Sequence, residues 1–422
     1  MNIPIVSGMK AMPVHDMSAP PPLREDTFTR AGRIAFVCFF ILQAGIGLGT
    51  TIATYAQWIV YASGPGPTDF ISWWGAGRLV LDGDPASSYD WAIHKRAIDS
   101  AVGHETANYF GWHYPPPFLA VAAVFALLPY SAAYFSWVSV TFLLHVATIW
   151  GIFRHRFAYL LAVAFPAVFF NMMLGQNGFL TASLIGGTLA LMERRPVLSG
   201  CCLGLLTYKP QFGILFPIVL IVSGRWTVIF TAAAVGCTIA LMSWYAFGLA
   251  TWEAFFHWLP VTSKAVLSEG QANWAKLQSI YGMVRTAGGT ETLGWISMAT
   301  VALLVAATLC VIWRSRCAFD LKAAALTTGI VLITPYVFSY DMIILAIAFA
   351  FFLRHATFSN IRAHEYFALT VALVLIAAIP FVGPPLGVVA SGIVFVLIAL
   401  RCIDATRTPR TGILAKSVPI GT

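Results

Sequence analysis

Two charged residues interrupt apolar runs where lipid makes an unpaired charge costly. They are Lys209, in Tyr208-Lys209-Pro210, and Asp341, in Ser339-Tyr340-Asp341. A lysine in such a place can meet a phosphate as a point charge, or can be a snorkelling side chain. An ion pair between Lys209 and Asp341 would account for both structurally. A third charge, Asp69, lies in Thr68-Asp69-Phe70-Ile71-Ser72-Trp73-Trp74. A carboxylate in a half-dry cleft is a good general base for a hydroxyl. The same position suits the N-cap of a helix running through Arg78 to Leu81. Gly175-Gln176-Asn177-Gly178 is a polar hairpin between two apolar runs. A helix–helix turn explains its glycines and Asn177 but does not require Gln176. His113-Tyr114-Pro115-Pro116-Pro117 fixes an extended entry into a helix starting near Phe118, which a rigid turn alone would also explain.

The elements that must position these residues are membrane helices. The chain is 59% hydrophobic and only 10% charged over 422 residues. A span needs about 20 apolar residues, so there is room for about a dozen. The first run is near 34–62. Others follow near 131–153, 157–173, 179–192, 197–208, 211–223, 226–249, 292–313, 323–335, 342–353, 366–382 and 385–401. Phe118–Leu128 is apolar but too short to span. The expected fold is an all-α integral membrane protein of 12 spans with both termini inside, and no internal repeat is evident.

Loops rich in arginine and lysine face the cytoplasm. On that rule 18 of the 25 Lys+Arg fall inside and 7 outside. Asp69, Tyr114, Gln176, Lys209 and Asp341 then gather at the extracytoplasmic side, as expected of a protein in a bacterial inner membrane acting at its outer face. Residues 63–117 form a long outer loop with six acids and much Trp and Tyr. Residues 250–291 form a second outer segment, with Trp252, Phe255, Phe256, His257, Trp258 and Trp274 suggesting surface helices with an aromatic underside. Residues 1–30 read as a mobile cytoplasmic arm rather than a cleaved leader, residues 31–402 as the membrane domain, and 403–422 as a cytoplasmic tail.

The formal charge of +8 is mostly this orientation signal. It does not point to nucleic acid, and attraction to anionic membrane lipids is compatible with it. The seven cysteines lie in or beside expected spans, which speaks against a disulfide framework. No His-x-x-x-His, Cys-x-x-Cys or phosphate-loop pattern occurs, so neither a metal nor a cofactor is indicated. Asp82-Gly83-Asp84-Pro85 reads as a turn.

The ordered set of motifs resembles glycosyltransferase family 87, the polyprenyl-phosphate-mannose-dependent α-mannosyltransferase-like membrane proteins of the GT-C type. The resemblance rests on Asp69-Phe70 with Trp73, Trp74 and Gly75-x-Gly77, then Gly83-x-Pro85 and Tyr89. Tyr114-Pro115-Pro116, Leu128-Pro129, Gly175-Gln176-Asn177 and Gly200-x-x-x-Gly204 leading to Lys209-Pro210 continue it. It covers residues 60–230 well, and the second half through hydropathy and Pro335…Tyr340-Asp341. It implies a GT-C-type bundle and a polyprenyl-phosphate-sugar donor, with mannose as the sugar. The acceptor would be a hydroxyl of a glycolipid or glycan, deprotonated by Asp69 and attacking with inversion. Lys209, or Arg78, would steady the phosphate, and Gln176, Asn177, Tyr114, His113 and Asp341 would be the other substrate-binding residues.

Two other functions share some of these features. A lipid or solute transporter would carry charges at mid-membrane in discontinuous helices. A polysaccharide polymerase or ligase would rely on outer-loop arginines, for which Arg78 and Arg96 are available.

Overall fold

A computed structural model describes residues 27–60, 68–102, 105, 111–356 and 360–407. Within them the chain is helical, with no strand. Residues 1–26 and 408–422 lie outside the described residues, and with them most of the expected arm and tail. The described helices extend further than expected at both ends. α1 (Thr27–Val60) already includes residues assigned to the arm, because Gly32 lets its first turns pack on Tyr366. The last helix runs on to Arg407.

The segment expected to form the long outer loop holds two helices, α2 (Phe70–Leu81) and α3 (Trp91–Val102), with the expected turn at Gly83 (φ 85°) between them. α4 (Pro117–Ala126) starts on the prolines and has ten residues, about 15 Å, too short to span. α5 (Tyr130–Ile152) follows. The next apolar run is broken into α6 (Phe157–Ala164) and α7 (Ala167–Leu174), bent by 51° at Phe165-Pro166, where proline removes a helix hydrogen bond. Then come three short helices, α8 (Gly178–Leu191), α9 (Pro196–Leu205) and α10 (Leu215–Val222). α11 (Trp226–Ser263) turns sharply at Gly248 (φ 77°, ψ 168°), and its second half is the start of the expected outer segment. α12 (Ile280–Thr286), α13 (Glu291–Arg314), α14 (Phe319–Ile333), α15 (Ile344–Ala356), α16 (Ala363–Ala378) and α17 (Leu386–Arg407) complete the order.

The expected apolar runs are helical where they fall on described residues, but the 12 expected spans are not all long enough to cross. Among the described residues, seven helices are long and apolar enough to cross a membrane by length and composition, and eight if the bent α6–α7 pair is one span. Burial separates the centre from the periphery. In the stretch leading into α15, 83% of the apolar window is buried, against 17% for α1. α14 packs on α15, and α8 and α17 close around the two. Outer helices keep large apolar side chains exposed, such as Leu303 and Leu304 on α13 and Ile41 and Leu42 on α1. This inverted arrangement suits a chain solvated by lipid.

α2 is held by close approach to α4. A Cβ on Gly77 would lie 2.3 Å from the Ala122 carbonyl oxygen and 2.7 Å from Ala126 Cβ. Trp73 packs beneath, its ring 4.7 Å from Phe118 and 4.9 Å from Trp137. The second half of α11 leans on the same loop, with Trp258 stacked on Trp91 at 5.8 Å and Phe255 against Tyr89. Gly77→Val should force α2 off α4 and cost about 1–3 kcal/mol. Thermal unfolding of the purified protein should show a lower midpoint, and an unchanged midpoint would mean the helices do not meet this closely.

Candidate functional site

The turn between α7 and α8 draws the distant segments together. Gly175 ends α7 in the left-handed region (φ 64°), as helix C-terminal glycines do. It also allows contact, since a Cβ there would lie 2.7 Å from Phe70 Cβ and 2.8 Å from the Tyr134 ring. The Gly175 carbonyl accepts from Trp137 Nε1 at 3.0 Å, which pins the turn to α5. Gly178, at the other end, leaves room for a different neighbour. A Cβ there would lie 2.4 Å from Asn171 Oδ1 and 2.6 Å from the Tyr340 carbonyl oxygen. Asn171 Nδ2 donates to that carbonyl at 2.8 Å. The two glycines thus let one turn touch the start of α2 on one side and the 3-10 turn Ser339–Ile343 on the other.

Asp69 stands at the N-cap position of α2 but makes no side-chain cap bond. Its Oδ2 instead accepts from Gln176 Nε2 at 2.9 Å, across 107 residues of sequence. Burial pushes its carboxyl above the usual carboxylate range, partly offset by the Gln176 hydrogen bond and by the positive charge of Lys276. Gln176 Oε1 and both side-chain polar atoms of Asn177 are buried with no hydrogen bond, an unusual cost for native polar groups. The Tyr114 phenol approaches the Asn177 side chain, a contact that acts against its burial, and interacts electrostatically with Tyr208, Asp341 and Asp69. Burial first, then these neighbours, hold Tyr114 well above its ordinary value, so it remains a neutral phenol.

Lys209 and Asp341 form the ion pair that their interruption of apolar runs suggested. Lys209 Nζ donates to Asp341 Oδ1 at 2.8 Å, and both side chains are buried. Asp341 Oδ2 accepts from the Phe338 amide at 3.1 Å. The ammonium lies 5.2 Å from the ring centres of both Phe212 and Tyr340. Lys209 occupies the break between α9 and α10, with a 3-10 turn separating it from regular helix on either side. Tyr208 next to it shares a 2.6 Å hydrogen bond with Thr181 of α8. Asp69, Tyr114, Gln176, Asn177, Lys209 and Asp341 therefore belong to one cluster.

Arg78 and His113 do not join it. Nine residues along a helix turn about 900°, so Arg78 faces about 180° away from Asp69 and lies about 13 Å further along α2. Its guanidinium pairs loosely with Asp82 at 3.7 Å and sits 5.9 Å from the Trp74 ring. It lines a separate cavity of about 540 Å³ with Trp74, Asp82, Ser100, Leu127 and Leu128. His113 is exposed and borders a small cavity of about 10 Å³ against Trp258 and Phe255 of α11. Two contributors escaped the sequence. Asn171 carried a signal, a lone amide inside an apolar run. Lys276 carried none, being one exposed lysine in an irregular segment. No group of three or more His, Cys, Asp or Glu arranged to hold a metal occurs among the described residues.

The Lys209–Asp341 pair predicts a specific pattern of stabilities. Lys209→Met or Asp341→Leu alone strands a buried charge and should cost about 3–5 kcal/mol, whereas the double replacement should recover much of that. Equal and additive losses in a thermal double-mutant cycle would mean that the two side chains are not coupled.

No curated protein and no solved structure matches the chain. The family model of glycosyltransferase family 87 matches residues 112–335, which takes in Tyr114, the Gly175–Gly178 turn, Lys209 and Lys276 but stops short of Asp341 and begins after Asp69. The match spans just over half of the 422 residues, and the chain belongs to glycosyltransferase family 87.

Proposed function

We propose that this glycosyltransferase moves a sugar, mannose first among those to try, from a polyprenyl phosphate to a hydroxyl of a glycolipid or glycan. The transfer takes place at the extracytoplasmic side of a bacterial inner membrane, and Asp69 is the general base. The observation that carries the proposal is the Asp69 carboxylate, released from helix capping and held at 2.9 Å by Gln176, whose Oε1, like both side-chain polar atoms of Asn177, is buried without a hydrogen bond. Buried amide atoms without partners are suited to receive sugar hydroxyls, which can both donate and accept.

Asp69 takes the proton of the acceptor hydroxyl as its oxygen bonds to the anomeric carbon. The bond from that carbon to the phosphate oxygen breaks, and the electron pair leaves with the lipid phosphate. Attack opposite the leaving group inverts the anomeric centre. Base and leaving group then lie on opposite faces of the sugar, so the carboxylate and the phosphate contacts must be separate. Lys209 gives one of its three N–H donors to Asp341; a phosphate oxygen is a fitting partner for another. Tyr114 and Asn177 face the sugar between these charges. Arg78 and His113, away from the cluster, are assigned to the rim of the acceptor path.

Depth supports a lipid-borne donor. α8 has 14 residues, about 21 Å, and its cytoplasmic end is marked by Arg194 and Arg195 on the charge rule. Against a hydrocarbon core of about 30 Å, Asn177 at its other end would lie about 9 Å below the outer boundary. Tyr208, next to Lys209, bonds Thr181 one turn further along the same helix. A phosphate carried on a prenyl chain reaches that level from the bilayer side.

Asp69→Asn should lower sugar transfer from polyprenyl-phosphate-mannose by about 10²–10⁴-fold with protein abundance unchanged. Transfer at the wild-type rate would remove Asp69 from the chemistry. The base must be ionised to act, so activity should fall as pH drops through the raised Asp69 value. Gln176→Leu removes a hydrogen bond that favours the carboxylate, and the acid limb of kcat/KM should move to higher pH. An acid limb unmoved by this replacement would mean that another group sets it.

A further inference from the structure

The charges of the cluster do not balance for a phosphate substrate. Asp69 and Asp341 are two carboxylates against the single ammonium of Lys209, which leaves one net negative charge before any donor arrives. A phosphodiester adds a second. During transfer Asp69 takes a proton while the leaving phosphate gains a charge, so the excess persists in a site shielded from water, where it is costly. Among the described residues no second cation pairs with these acids, and Arg78 faces the other side of α2, paired with Asp82.

The segment 273–278 supplies one. Asn273 opens it at φ 62° and caps it, accepting from the Ala275 amide at 3.0 Å. Trp274 anchors it, donating from Nε1 to the Leu267 carbonyl at 2.7 Å, under the Arg285 guanidinium 4.1 Å above its ring. Gln278 ties the other end to two distant elements. Its amide donates to the Val337 carbonyl at 2.6 Å, and its Oε1 accepts from the Gly387 amide at 2.8 Å. Val337 precedes Phe338, whose amide donates to Asp341. The segment is thereby stitched to the stretch of chain that carries the buried acid. Lys276 projects from it with an exposed side chain and makes no ion pair among the described residues. Its positive charge is the smallest of the influences on the Asp69 carboxyl, and acts against the burial that raises it.

We propose that Lys276, held by the Gln278 latch, is a phosphate contact of the donor lipid and closes the charge balance of the site from the loop side. This inference rests on the donor class proposed above. Lys209 meets the phosphate from below with its charge already matched by Asp341, and Lys276 meets it from above with its charge unspent. An exposed lysine suits this role, since a mobile donor must be captured and then released.

The test uses the full-length protein in lipid nanodiscs and two probes, a polyprenyl monophosphate and the corresponding uncharged polyprenol. Wild type should prefer the monophosphate. Lys276→Gln should weaken monophosphate binding about 10-fold or more, the loss of a charge-assisted contact, and leave polyprenol binding unchanged. Lys276→Arg should retain most of the affinity. In sugar-transfer assays Lys276→Gln should raise KM for the donor and move the acid limb to higher pH, because Asp69 loses a nearby positive charge. If wild type binds both probes equally, the donor class fails and this inference falls with it. If wild type prefers the monophosphate and Lys276→Gln keeps that preference, this inference alone is overturned. Parallel loss of both probes would make Lys276 a structural residue and would also overturn it.

Discussion

The four residues Gly175 to Gly178 are the constraint on which the rest depends. One turn must touch α2 through Gly175 and the Ser339–Ile343 turn through Gly178, and each contact is closer than any side chain allows. Between the glycines, Gln176 reaches Asp69 and Asn177 lies against Tyr114. The acid of the first loop and the acid of the second half, 272 positions apart in sequence, are brought to one cluster by this turn. A larger residue at either glycine would separate one acid from the amides without touching the chemistry itself.

The short helices have a physical consequence of the same kind. α8, α9 and α10 cannot cross about 30 Å of hydrocarbon on their own. α8 is tolerated because protein surrounds it, on α5, α9 and α15, whereas α9 and α10 pack along one face and keep Val197, Leu198 and Ile221 exposed. Their polar ends then lie inside the bundle rather than in lipid, where backbone groups without partners would be prohibitive. Breaks at Pro166 and Lys209 are features that also occur in transporters. Here they frame a buried ion pair and a carboxylate at one end of the bundle, and membership of a glycosyltransferase family decides between the two functions.

Much of this was legible from residue order. Runs of apolar residues specify helices wherever lipid is the solvent, and among the described residues seven, or eight with the bent pair, are long enough to span. Lys209 and Asp341 announced each other, because a charge in an apolar run needs a partner. Glycines flanking Gln176 and Asn177 announced a turn. What sequence left open at Asp69, cap or base, depends on a partner 107 residues away, which local pattern does not encode. The distance of Arg78 from the cluster was implicit in the phase of α2, once that helix is taken to start at Asp69. Lys276 had no such signal: its place follows from the latch at Gln278, whose partners Val337 and Gly387 lie on segments remote in sequence.

The central claim is that the turn, both acids and the two lysines form a single lipid-phosphate site. The most direct measurement is an experimental structure of the protein in nanodiscs with a polyprenyl monophosphate bound. The phosphate is expected between Lys209 and Lys276, apart from the Asp69 carboxylate, with its prenyl chain leaving toward lipid. Phosphate bound instead at Arg78, in the cavity beside Trp74 and Leu128, would contradict it.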